Sequence, residues 1–156
     1  MRIGVLSDTH GLLRPEALTA LAGVVHILHA GDVGDATIPD RLRHIAPVTA
    51  IRGNIDSHGP CAQLPATEMV NVGGTNFYLL HDLHQLDLDP GAAGIDVVVS
   101  GHSHQPGIER RRGVLYLNPG SAGPRRFALP ISVAVVTLGD SPPVAEIVQL
   151  AEQKPG

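Results

Sequence analysis

Cysteine occurs once in this chain of 156 residues, tryptophan not at all, and tyrosine and phenylalanine only twice each. A single thiol, Cys61, closes no internal disulfide, so nothing in the sequence asks for an oxidising compartment. So few rings leave little on which bases could stack. Eleven Lys and Arg against 15 Asp and Glu, a net charge of -4, leave no basic footprint for a polyanion. Stable binding to a nucleic-acid duplex is therefore not expected, although a nucleotide-sized substrate stays open. Long hydrophobic runs are also missing. Stretches such as Val133–Val136 fall far short of the ~20 residues of a membrane span, and no basic segment followed by an apolar run of about 7–15 residues opens the chain. The expected location is the cytoplasm, away from membranes.

What is present is globular: 43% hydrophobic against 17% charged residues, in a length that suits one domain of roughly 100–200 residues. A single domain over residues 1–156 with no inserted cap is the expectation. Short apolar runs recur, each ending in polar residues: Arg2–Ser7 before Asp8, Val24–Ala30 before Gly31-Asp32, Val48–Arg52 before Gly53-Asn54-Ile55-Asp56, Phe77–Leu80 before His81-Asp82, and Asp96–Ser100 before Gly101-His102-Ser103-His104. These read as buried strands that deliver polar groups at their carboxyl ends. Helical spacing lies between the first of them, at Pro15–Ala22 and Ile38–Ile45. The rhythm is that of an α/β domain. Val114–Leu117, Ile131–Leu138 and Val144–Leu150 follow with Gly and Pro turns and no room for helices, which predicts a second, more antiparallel sheet in the C-terminal third. Glu152–Gly156 reads as a loose tail.

Alpha/beta sheets bind ligands beyond the carboxyl ends of their strands, and that is where the donors cluster. Asp8 with His10, and His102 with His104, are spaced two apart, so in extended chain each pair projects to one side. Asp8, His10, Asp32, Asn54, His81, His102 and His104 offer two carboxylates, one amide oxygen and four imidazoles, too many for one tetrahedral ion. Hard oxygen mixed with imidazole and no thiolate suits Mn²⁺, Fe, Ni²⁺ or Zn²⁺ better than Ca²⁺. Two ions ~3.5–4 Å apart are the arrangement used for phosphoryl chemistry.

Ser7-Asp8-Thr9-His10-Gly11, Gly31-Asp32, Gly53-Asn54-Ile55-Asp56, His81 and Gly101-His102-Ser103-His104 together resemble the calcineurin-like metallophosphoesterases. The likeness is greatest to the small single-domain phosphodiesterases of bacteria and archaea, the YfcE-like family, and extends through Leu117-Asn118-Pro119-Gly120-Ser121 and Pro124-Arg125. It implies a four-layer α-β-β-α sandwich of two mixed sheets flanked by helices. It also implies that Asp8, His10 and His104 hold one metal, that Asn54, His81 and His102 hold the other, and that Asp32 bridges. Asp8, Asp32, Asn54 and His102 would then act in catalysis through a metal-bound hydroxide that attacks a small phosphoester. Mn²⁺ is the first expectation for both ions, with Ni²⁺, Fe²⁺/Fe³⁺ or Zn²⁺ as alternatives.

Two positions depart from the family pattern. Ile55 stands where many members carry a histidine able to protonate the leaving oxygen. Losing such an acid costs roughly 10²–10⁴ in rate, which shifts the expected substrate from monoesters to phosphodiesters with good leaving groups. His81-Asp82-Leu83-His84 replaces His-Gly-His. His81 matches the ligand, and His84 becomes a rim residue with a possible catalytic part as substrate contact or proton donor.

Each residue also has a plain use. Asp8 could cap the following helix, and Asp32 and Asp56 could form turns; Asp56, next to Asn54, could equally serve to orient a site residue. Asn118 and Ser121 could build the Pro119-Gly120 turn, and Arg125 and Arg126 could bind phosphate or only meet solvent. His29, beside Ala30-Gly31-Asp32, is placed to touch the site without ligating, and Gly101 to admit a close approach of chain. The same fold also supplies a eukaryotic scaffolding subunit that binds partner proteins, so a catalytically weak interaction scaffold, or a metal- or phosphate-binding module, is the alternative to an enzyme. A homo-oligomer is compatible with the sequence.

Overall fold

A computed structural model describes residues 1–150; the tail expected at Glu152–Gly156 lies outside the described residues. Ten strands form two five-stranded mixed sheets. The first has the order β10-β9-β1-β2-β3, built from β1 (Arg2–Leu6), β2 (His26–His29), β3 (Val48–Ala50), β9 (Ser132–Thr137) and β10 (Val144–Gln149). The second has the order β4-β5-β6-β8-β7, from β4 (Thr67–Val72), β5 (Thr75–Leu80), β6 (Val97–Val99), β7 (Gly107–Arg111) and β8 (Val114–Asn118). Strands β1, β2 and β3 run parallel, as do β5, β6 and β8; β4, β7, β9 and β10 are antiparallel to their neighbours.

Alternation explains the layers. Ile3 and Val5, Leu28 and Ala30, Phe77 and Leu79, Val97 and Val99, Leu115 and Leu117, Ala134 and Val136 pack together between the sheets, each pair two residues apart on one strand face. On the outer face of the first sheet, Leu6, Ile27 and Val133 meet Ala17, Leu21, Ile38 and Leu42, carried on or beside α1 (Pro15–Ala20) and α2 (Thr37–Leu42). The outer face of the second sheet, Leu80, Val98 and Val114, is covered by Leu83, Leu86, Leu88 and Ile95. That layer is a 3₁₀ turn at Leu83–Gln85 and the irregular chain after it. The architecture is the sandwich of two mixed sheets that the family resemblance implies.

The C-terminal third differs from expectation. β8 lies in the second sheet, but β9 and β10 return to the first, where β9 pairs antiparallel with β1. Five of the six β9 residues are buried, because Ala134 and Val136 face the second sheet while Val133 packs under the helices. Two strands are absent from the sequence reading. The β4–β5 hairpin turns at Gly73-Gly74, where both glycines have positive φ. β7 is exposed along its whole length and charged, so it shows no apolar pattern. Among the described residues no helix is long and apolar enough to cross a membrane.

Candidate metal centre

The carboxyl ends of both parallel triplets open on the same edge of the sandwich. Asp8 and His10 follow β1, Asp32 follows β2, His81 follows β5, and His102 and His104 follow β6. Their atoms converge. Asp8, His10 and His104 form one group and Asp8, Asp32 and His81 another, each with ligand atoms within 4.8 Å of one another. Nε2 of His10 lies 3.3 Å from Asp32 Oδ2 and 3.8 Å from Asp8 Oδ1. Nε2 of His81 lies 3.2 Å and 3.7 Å from the same two oxygens, and Nε2 of His104 lies 3.6 Å from Asp8 Oδ1. Asp32 Oδ2 thus stands between two imidazoles, and Asp8 Oδ1 faces three.

Five of these ligand-bearing residues, Asp8, His10, Asp32, His102 and His104, hold positive φ between 47° and 71°. Left-handed backbone is uncommon for residues with a Cβ and costs of order 1 kcal/mol or more each. Five at one edge is strain concentrated where it turns side chains toward a common centre. Space is tight there too. A Cβ at Gly53 would overlap the Asp32 carboxylate, and one at Gly101 would overlap Ser7 Oγ and lie 2.8 Å from Asp8 Oδ2. The glycine before one donor therefore leaves room for another.

The chemistry of the donors fits divalent cations. His81 Nδ1 lies 2.8 Å from the Ala30 carbonyl and donates to it, so in the neutral ring Nε2 carries a lone pair, and it faces carboxylate oxygen. Acceptor against acceptor is repulsive unless a cation or a proton lies between. Asp8 Oδ1 and the Nε2 atoms of His10, His81 and His104 are buried without a hydrogen-bond partner, which is costly for polar atoms unless a ligand completes them. Burial opposes the charged form of His81, but the adjacent Asp32 carboxylate and the Ala30 carbonyl outweigh it and raise its pKa. Burial likewise opposes ionisation of Asp32, yet the adjacent His81 imidazole, the bond from the Ile55 amide and the nearby His10 hold its carboxyl at about 2. His104, where burial dominates, is lowered.

Asn54 and His102 stand at the exposed rim. The His102 ring meets that of His81 edge-on at 5.2 Å, and its backbone N–H donates to Asp8 Oδ2 at 3.1 Å. Ile55 contributes through its main chain, whose N–H donates to Asp32 Oδ1 at 3.1 Å. His84 is almost wholly exposed, with Nδ1 3.2 Å from Asp82 Oδ1. Burial works against the Asp82 carboxylate, but the bonds from the His84 amide and ring lower its pKa. Asn118 builds the turn expected of it, where Oδ1 accepts from Gly120, and its Nδ2 also donates to the Gly101 carbonyl and to Ser103 Oγ, each at 3.1 Å. Ser121 donates to the Asp8 carbonyl at 3.1 Å.

Some supporting residues are less legible in the sequence. Asp56 is buried and accepts from three amides, Val33, Gly34 and Gly53, at 2.9–3.0 Å, tying the loop that bears Asp32 to the loop that bears Asn54. His29 is fully buried. Its Nδ1 accepts from Gly31 N–H, its Nε2 donates to Thr9 Oγ1, and that hydroxyl donates to the Val33 carbonyl. The relay joins the loops of Asp8 and Asp32, and burial pushes the His29 pKa down to about 4, which keeps the ring neutral. His26 bonds Thr49 and belongs to the sheet surface.

A donor set of this size, rich in carboxylate and imidazole at the edge where two sheets meet, is that of a metal-dependent phosphoesterase. Residues 1–141 match the family model of the calcineurin-like phosphoesterase superfamily domain, and the chain belongs to that superfamily. It is 36% identical to a probable metallophosphoesterase of Methanothermobacter thermautotrophicus over 161 residues, 96% of this chain and 92% of the relative. Among solved structures, one described as a novel archaeal phosphodiesterase superposes with a TM-score of 0.78 at 23% identity, covering 95% of this chain and 100% of the other. Vps29 of Entamoeba histolytica, complexed with Zn²⁺, gives 0.74 at 22% identity over 96% and 99%. At such identities these two show the shared fold.

Proposed function

We propose that the protein hydrolyses phosphodiesters at a dinuclear site. Asp8, His10 and His104 would hold one ion and Asn54, His81 and His102 the other, with Asp32 serving both; Mn²⁺ would be the activating metal. The observation that carries this reading is the set of buried, partnerless Nε2 atoms directed at carboxylate oxygens. Two bound cations supply an activated water as nucleophile and neutralise phosphoryl charge as it develops. The rest is done by the chain. Asp56, the His29–Thr9 relay and the Ile55 amide hold Asp32 and its loop in position. With isoleucine at position 55, the side chain there donates no proton. His84, oriented by Asp82, takes that part at the rim, a weaker source that favours esters with good leaving groups.

The test is hydrolysis of bis(4-nitrophenyl) phosphate and of 4-nitrophenyl phosphate by metal-stripped protein, reloaded with Mn²⁺, Ni²⁺, Zn²⁺ or Mg²⁺ in turn. Metal-dependent turnover that favours the diester is expected. Metal binding with no turnover of either ester would replace this reading with that of a non-catalytic metal-binding or scaffold module.

A further inference from the structure

A phosphodiester differs from a monoester in having two organic arms, and two clefts leave the candidate metal centre. The first, of about 320 Å³, starts at Gly101 and His102 and runs past Leu83, Arg111 and Tyr116. The second, of about 640 Å³, starts at Gly53, Asn54 and His81 and runs past Arg52, Thr67 and Gln85. Asp82 lines both.

Their walls differ in chemistry. In the first, Glu109, Arg111 and Tyr116 share the outer face of the second sheet, Glu109 standing opposite Tyr116 in the ladder. There the Arg111 guanidinium lies 4.9 Å over the Tyr116 ring, with its charge met by Glu109 at 2.8 Å. Stacked in this way, the pair offers a flat, largely neutralised platform suited to another ring. The second cleft presents amides, a hydroxyl and opposite charges, from Asn54, Gln85, Thr67, Arg52 and Asp87, and suits a hydroxylated arm.

We infer that the two clefts receive the two arms of an unsymmetrical phosphodiester, a ring-bearing arm beside His102 and a polar, hydroxylated arm beside Asn54 and His81. This rests on the phosphodiesterase reading above. His84 lines the first cleft, so the ring-bearing arm is the one that leaves. Water oxygen bonds to phosphorus, the P–O bond to that arm breaks, and the departing oxygen takes a proton, giving the monoester of the polar arm and a free ring-bearing alcohol or phenol.

Two measurements test the assignment. The first is calorimetric binding of phenylphosphonate and methylphosphonate to the Mn²⁺-loaded protein; both are stable to hydrolysis and carry the same charge. The phenyl compound should bind roughly tenfold tighter, and in Arg111→Ala, a change at an exposed position, the ratio should fall to near one. The second is turnover of glyceryl and methyl 4-nitrophenyl phosphate. The glyceryl ester should be favoured several-fold in kcat/KM, a preference lost in the Thr67→Val, Gln85→Ala double variant and kept in Arg111→Ala. Equal binding of the two phosphonates by the wild type, or a ratio unchanged by Arg111→Ala, overturns the first cleft's role. A glyceryl preference that is absent, or that survives the double variant, overturns the second's. Phosphonate binding is read without turnover, so failure of the phosphodiesterase reading, seen as no hydrolysis of any ester, is distinguishable from failure of the arm assignment.

Discussion

The floor and the rim of the centre are built by different rules. On the floor, Asp8, Asp32, His81 and His104 are buried, their loops are tied by Asp56 and by the His29–Thr9 relay, and their orientation is over-determined. At the rim, Asn54, His84 and His102 are exposed and face the clefts. On the proposed reading the floor would supply most of the donors for the ions from buried, braced groups, while the exposed rim would complete the second ion's set and meet the substrate. The contrast holds only if changes on the floor and at the rim fail differently.

The largest effect should come from the floor. Asp8→Ala or Asp32→Ala is expected to lower diester turnover by at least roughly 10³-fold and to reduce bound metal below two equivalents, measured by elemental analysis after dialysis. Retention of full metal-dependent activity by either variant would break the comparison and the site assignment together. Next is Asp56→Ala, which strips three amides of a charged acceptor. A loss of about 3 kcal/mol or more in urea unfolding is expected, with metal affinity weakened roughly 10–100-fold. At the rim, His102→Ala should lower turnover about 10²-fold while the ion held by Asp8, His10 and His104 stays bound, so metal content falls toward one equivalent and the fold is unaffected.

The smallest effect is that of pH on the floor's support. The His29 pKa is about 4 in the folded chain against about 6.5 when unfolded, so the unfolded state takes up the proton first. This contribution to stability is whole above pH 6.5 and is lost as pH falls toward 4. The metal-free protein should therefore be about 2 kcal/mol less stable at pH 5 than at pH 7, and His29→Asn, which keeps an acceptor for the Gly31 amide, should flatten that dependence. Equal slopes in the two proteins would remove His29 from the account.

The candidate donors were legible because parallel strands covered on both faces read as apolar runs, and each run stops where a donor begins. Asp8, Asp32 and His81 of the floor and His102 of the rim all sit at such stops. The supports were harder to read because they act across the chain: Asp56 reaches back to Val33 and Gly34, and His29 to Thr9. No local pattern distinguishes a turn-forming aspartate from one that clamps two loops. For the same reason β9 was legible as a strand but not as a neighbour of β1, since sheet membership is decided by what covers each face. β7, charged and exposed on the edge, carries no periodic signal at all, although its Arg111 forms part of a cleft wall.

The left-handed backbone under Asp8, His10, His102 and His104 has an implication for anyone who evolves this protein in the laboratory. At those four positions glycine would relax the chain by up to about 1 kcal/mol each, and at Asp8, His10 and His104 it would also discard buried polar atoms that have no partner in the bare protein. A selection on heat resistance alone, with no metal supplied, would therefore reward the mutations that erase the centre. Stability and function pull against each other here at identifiable residues, and a screen for hardier variants should be run with the metal present.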